Sequence, residues 1–285
     1  MDQNRKAAIK LTIARILAYL FVAFFVILCL FFFYLLLISA SKTNFQLQGK
    51  FSILPGSNLL VNLKNALNDT MINIPVGMMN SFIVAATSAV LTTYFSALTA
   101  YATHVYDFKF KKLVTTFIIA VMMIPPQVSA AGFVQLAYKY GLTNKLWVLI
   151  IPSVAAPSIY FYMKQYLEAT LPIEMVEASR IDGSSEFGTF NRIVLPIMKP
   201  ALAVQMIFSF VASWNNFFMP GLLLTKPEKR TVPIMISALR SADFAKFDLG
   251  KMYMFIFLAI LPVVVVYLLL SKLIIKGVTS GSVKG

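Results

Sequence analysis

Few residues in this sequence have the type and spacing to do chemistry. The loop that opens Leu171-Pro-Ile-Glu-Met-Val-Glu-Ala-Ser-Arg-Ile-Asp-Gly183 has the grammar of a helix with a defined stop. Thr170 is placed to cap it, Pro172 suits the first turn, Glu174 sits where the helix dipole favours an anion, and Gly183 ends it. Ser184 is placed to cap a second segment with Glu186 in its first turn, and Phe187, Phe190 and Val194 would share one face up to Pro196. Two short amphipathic helices with a bend between them suit docking on another surface, or packing under their own bundle. A second group is neutral. Gln127, Gln135, Gln205, Trp214, Asn215 and Asn216 are hydrogen-bonding side chains within apolar stretches. Amides beside an aromatic face suit a neutral polyol, whose hydroxyls need partners and whose C–H faces stack on rings; equally, such amides bridge helices.

The chemistry that is missing narrows the field. One cysteine, Cys29, permits no internal disulfide, and one histidine, His104, makes no multi-histidine metal site. No G-x-x-x-x-G-K-[ST] loop occurs, so the chain carries no Walker A phosphate cradle. No Asp or Glu lies inside the long uncharged stretches, which leaves a proton-coupled secondary transporter without its carboxylate and an intramembrane enzyme without its paired acids.

The elements that must position these residues are apolar. Of 285 residues, 59% are hydrophobic and 13% charged, with a mean hydropathy of +0.79. Soluble domains carry about a quarter charged residues, so this is an integral membrane protein, and stretches of helix-span length make it all-α. The formal charge of +14, from 25 basic and 11 acidic residues, suits lipid headgroups flanking membrane spans rather than nucleic acid.

Uncharged stretches cover 16–41, 70–106, 113–138, 146–163, 200–225 and 252–271. A helix needs about 20 residues to cross the hydrocarbon, so they predict six transmembrane helices, the second starting near Met78 after an amphipathic entry segment. The first is too long for a cleavable signal's apolar region and reads as a retained span. With the N-terminus in the cytoplasm, inside segments hold 14 Lys and Arg and outside segments 11, a modest bias toward both termini inside. The division is then an arm at 1–15, a first helix at 16–41, an outer loop and entry segment at 42–77 with Pro55–Gly56 turn chemistry, a core at 78–272 containing the loop 165–199, and a tail at 273–285. After Ile275 the glycines and serines argue against a buried helix and predict a flexible tail.

The loop carries a resemblance. Glu177-Ala178-Ser179, Gly183 after three further residues, then nine residues and Ile193-x-Leu195-Pro196 resemble the EAA motif of binding-protein-dependent ABC importer permeases. Ser179, in place of a second alanine, is the one departure. Trp214-Asn215-Asn216-Phe217 resembles the W-N-x-F segment of sugar-import permeases, and the tail from Gly277 is similar to that of the second permease subunit of the maltose importer. The resemblance implies a type I importer fold of six spans, its first helix accessory and its last five the core, with both termini cytoplasmic. It implies a second homologous permease, two ATPase subunits that bind ATP and Mg, and an extracellular solute-binding protein, with no cofactor on this chain. It implies that Glu177 to Gly183 is a coupling helix seated in the ATPase. It also implies that the basic outer loop 226–251 reaches the binding protein, and that Gly281, Val283, Lys284 and Gly285 reach the ATPase dimer. The solute stays open between a sugar or oligosaccharide and glycerol phosphate or another small polar molecule.

Overall fold

The computed structural model describes residues 2–49, 51–69, 72–240 and 248–281. The chain divides into two compact units, residues 1–69 with 242–258 and residues 70–241 with 259–285.

In the first unit, α1 (Asp2–Ala40) presents leucine, isoleucine, valine and phenylalanine on all sides, and its apolar part, Ile9–Ala40, is only 6% buried over its most hydrophobic turns. A helix that is apolar all round without protein neighbours suits lipid. The chain then folds back on the end of α1. Ser41 and Lys42 precede α2 (Asn44–Gln48), which Thr43 and Gln46 close with a reciprocal capping box. Asn62 of α3 (Leu59–Leu67) donates to the carbonyls of Ala40 and Lys42, both at 2.8 Å. Gly56, expected in a turn, is needed for close approach instead: a Cβ there would collide with the Ser41 carbonyl. Lys251, near the start of α15 (Leu249–Gly281), pairs with Asp69 at 2.5 Å.

The second unit is built around α4 (Ile74–Val105). Its buried face carries Ser81, Ala85, Ser88, Ala89, Thr92, Ser96, Ala97 and Ala100. Small residues let neighbouring backbones approach, which is the main way helices associate where lipid offers no hydrophobic contrast. Against this face pack α8 (Pro157–Thr170) and α12 (Lys199–Trp214). The helix begins earlier than the expected Met78. Asn73 caps it, its Oδ1 accepting from the Val76 amide, and Pro75 fits the first turn, where no amide is required.

Three helices are long and apolar enough to cross a membrane unbroken, and three bent pairs bring the count to six if each pair is one span. The expected third span is α5 (Lys111–Val121) and α6 (Pro126–Lys139), meeting at 94°. The fourth is α7 (Trp147–Ile150), continued by a 3-10 turn to Val154, then α8 at 41°. Pro125 and Pro126 at the first break and Pro157 at the second end the preceding helix, because a proline removes an amide and pushes the residue before it out of helical geometry. The fifth stretch stops at Trp214 and resumes as α13 (Phe218–Leu223), followed by a 3-10 turn (Pro227–Lys229) and α14 (Val232–Arg240). The last helix corrects the tail expectation, since its backbone stays helical to Gly281. Extending a formed helix costs little per residue, so glycine and serine need not end it.

Candidate functional site

The loop after α8 folds as α9 (Ile173–Ile181), a bend, and α10 (Glu186–Thr189), which runs into a π-helical turn (Phe190–Val194) and α11 (Leu195–Ile197). Glu186–Ile197 and Lys199–Trp214 meet at 82°, and the charges on Glu186, Arg192 and Lys199 place the first of these outside the apolar stretch.

Two expected caps move. Thr170 lies inside α8, its hydroxyl donating to the Tyr166 carbonyl at 2.7 Å, and the second segment is capped by Ser185, not Ser184, through the Gly188 amide. Gly183 ends α9 as expected: its φ is +79°, a conformation that costs any L side chain roughly 1–2 kcal/mol. Ser184 instead meets Thr189, whose hydroxyl donates to it at 3.0 Å. The buried Ser179 hydroxyl, the departure from the motif, lies 3.0 Å from Thr189 across the bend and 2.7 Å from the Val176 carbonyl, with one proton to share between them.

The loop has a packed side and a bare one. Val176, Phe190, Val194 and Met198 are fully buried with Ala97, Ala100, Tyr101, Tyr160, Met163 and Leu167. Phe187, expected to share the face of Phe190 and Val194, is instead 66% exposed. Outward from the bend point Ile181, 86% exposed, with Ile173, Met175, Glu177 and Ala178. Of the rest of the motif, Ile193 and Leu195 are half-buried and Pro196 is exposed.

A polar clamp holds the packed side to the end of α4. Glu186 accepts from Arg180 Nε at 2.7 Å and Nη2 at 3.3 Å, from the Tyr101 hydroxyl at 3.4 Å and from the Tyr106 hydroxyl. The Arg180 guanidinium also lies over the Tyr106 ring, 5.5 Å from its centroid. The guanidinium beside Glu186, reinforced by the Tyr106 hydroxyl, holds this carboxyl below its ordinary range. His104 adds a contact of 3.1 Å from Nε2 to the Leu171 carbonyl. The sequence reading missed this clamp, whose parts lie 80 residues apart. Its local signal was a pair of tyrosines where an apolar stretch meets charge.

The amides are scattered. Gln127 and Gln135, on α6, are exposed, as is Asn215, and Gln205 is half-buried. Asn216 accepts from the Met219 amide at 3.3 Å and opens α13. Trp214 lies inside its unit. It is buried, stacked on Phe210 at 5.7 Å, and its indole N–H donates to the Ala259 carbonyl at 3.1 Å, so it binds helices together. The first part of the loop 226–251 is tied down. Asn80 of α4 donates to the carbonyls of Glu228 and Arg230, and Ser81 accepts from the Val232 amide. Of the tail residues, Gly281 ends α15, and Val283, Lys284 and Gly285 lie outside the described residues.

The family model described as binding-protein-dependent transport system inner membrane component matches residues 94–279. An arabinooligosaccharides transport system permease of Bacillus subtilis is 34% identical over 209 residues, covering 72% of this chain and 72% of that protein. A trehalose/maltose transport system permease of Thermococcus litoralis is 32% identical over 229 residues, 79% of this chain and 81% of that one. The crystal structure of a bacterial ABC transporter involved in the import of the acidic polysaccharide alginate superposes with a TM-score of 0.78 at 18% identity, over 91% of this chain and 96% of that chain. The fold, the matched residues and these relatives agree: this membrane-embedded chain belongs to the binding-protein-dependent ABC importer permeases.

Proposed function

We propose that this chain is one permease of an ATP-driven importer for a sugar or oligosaccharide, and that the bend at Gly183 is where it takes force from an ATPase. The observation that carries this is the two-sided loop. Its inner side is clamped to α4 through Glu186 and packed on Phe190, while Ile181, Phe187 and Glu177 stand bare. An apolar patch around an acid, on a charged loop outside the spans, suits a protein cleft better than lipid. The relatives named for arabinooligosaccharides and trehalose/maltose support a carbohydrate solute.

In this reading a second homologous permease completes the path, a solute-binding protein delivers the solute from outside, and two ATPase subunits hold ATP and Mg. Both termini are cytoplasmic. ATPase closure moves the bend, and the clamp passes that motion to α4 and its neighbours, so access alternates across the membrane. Gln127, Gln135, Gln205 and Asn215 are the candidates to line the path. The outer loop 226–251 contacts the binding protein.

Replacing Gly183 with leucine tests the coupling. A Cβ at Gly183 has nothing within 4 Å, so the chain itself has room and the damage falls on the left-handed backbone and on whatever docks outside. Gly183→Leu is expected to abolish uptake, either by losing the ATPase subunits on purification or by hydrolysing ATP without transport. Uptake at the wild-type rate with solute-stimulated ATPase activity would refute the proposal.

A further inference from the structure

The first unit contains a cavity of its own. It measures about 310 Å³ and lies beside the last turns of α1. Along α1 its lining runs from Phe32, Leu35 and Leu36 to Ser39, and beyond the helix come Lys42 and Ser52, with Leu47 and Phe51 also in the wall. From Phe32 to Ser39 the helix rises about 10 Å at roughly 1.5 Å per residue. The uncharged stretch ends at Ser41, so the apolar part lies at hydrocarbon depth and Lys42 is the first charge beyond it.

Lys42 is held where a lysine rarely stays. It is 7% exposed and donates to the Ser52 carbonyl, and among the described residues no carboxylate pairs with it. The two acids of this unit whose side chains are described are engaged elsewhere, Asp69 with Lys251 and Asp248 with the amides of Gly250 and Lys251. The backbone around it is closed, for Asn62 binds the Lys42 carbonyl and a Cβ on Gly250 would come within 2.5 Å of that oxygen. An ammonium has three donors, and burying a cation without a counter-charge is costly.

We propose that this cavity is a phospholipid site. The lipid phosphate sits on the Lys42 ammonium with the Ser39 hydroxyl beside it, and an acyl chain lies along Phe32, Leu35 and Leu36. A phospholipid of the leaflet at this end of α1 fits because the cavity runs from apolar to cationic in the same order and at the same depth as the lipid. It supplies a counter-charge that no described carboxylate provides, and it continues the lipid-facing surface of α1.

The assembled complex, extracted in detergent and washed, tests this by mass spectrometry of the phospholipid it retains. Wild type and Lys42→Arg are expected to keep a tightly held phospholipid. Lys42→Met should hold it about tenfold more weakly, the scale of one hydrogen bond to a charged group. Leu36→Trp, which fills the apolar end and leaves the lysine intact, should also lose it, and it carries the test if Lys42→Met fails to assemble. Equal retention in wild type and Leu36→Trp would overturn the proposal. Two further results would do the same. One is stabilisation of the delipidated complex by inorganic phosphate as strong as that by phosphatidylglycerol vesicles. The other is a photo-crosslinker at Ser39 that labels the second permease instead of lipid.

Discussion

The loop end of the second unit and its α5–α6 arm are built from similar residues and solve opposite problems. At the loop end, Phe190, Val194, Tyr101 and Leu167 are fully or almost fully buried, and the polar atoms around Glu186 are paired. Along the arm, α5 buries no residue and α6 only Ala130 and Ala137, while Phe117, Met123 and Val128 are more than half exposed. A region that completes its own packing behaves as a rigid part, and one that leaves large side chains bare is finished by lipid or another chain. The contrast sorts what this chain does by itself from what it does only in an assembly.

The largest expected effect is a matched pair of truncations. Phe190→Ala should destabilise the purified protein by about 3–5 kcal/mol, as emptying a packed aromatic site does, whereas Phe117→Ala on the arm should stay within about 0.5 kcal/mol. Thermal unfolding in detergent without partner subunits measures both, and similar losses would erase the contrast. Next comes the clamp. Glu186→Gln leaves Arg180 and Tyr106 without their shared carboxylate, yet the pair is partly exposed, so stability should fall by no more than about 1 kcal/mol. Transport per ATP hydrolysed should fall several-fold, because the bend is no longer fastened to α4. An unchanged ratio would count against the clamp as the link in the proposed coupling. The smallest effect is at Trp214. Trp214→Phe removes the hydrogen bond to Ala259 and should cost about 1 kcal/mol with solute preference unaltered. A changed preference at unchanged stability would return Trp214 to the transport path.

The same contrast explains what the sequence disclosed. Charge counting located the apolar stretches because the cost of burying a charge in lipid is independent of the fold. It could not see the 94° break, since Pro125 and Pro126 add no charge and membrane helices tolerate proline wherever neighbours satisfy the freed carbonyls. Gly183 was legible because a helix stop is local chemistry. The choice of Ser185 over Ser184 as cap was not, for it follows from the tie between Ser184 and Thr189, which exists only once the bend has formed. Trp214 was read by its type, an aromatic among amides, and only the approach of Ala259 from 45 residues away settles what its N–H does. The tyrosine clamp belongs to the same class, since neither tyrosine has local reason to meet Glu186.

The π turn at Phe190–Val194 gives the loop slack in its length. A π turn holds one residue more than an α turn in the same length of helix, so the stretch Phe190–Val194 includes one that adds no reach. Removing a single residue there would leave a regular α-helix of nearly the same length, with Leu195 and Pro196 beyond it in nearly the same orientation. The same deletion in the regular turns of α9 or α12 would rotate everything beyond it by about 100°. The π turn is therefore the one place in this segment where the chain can lose a residue and keep its register.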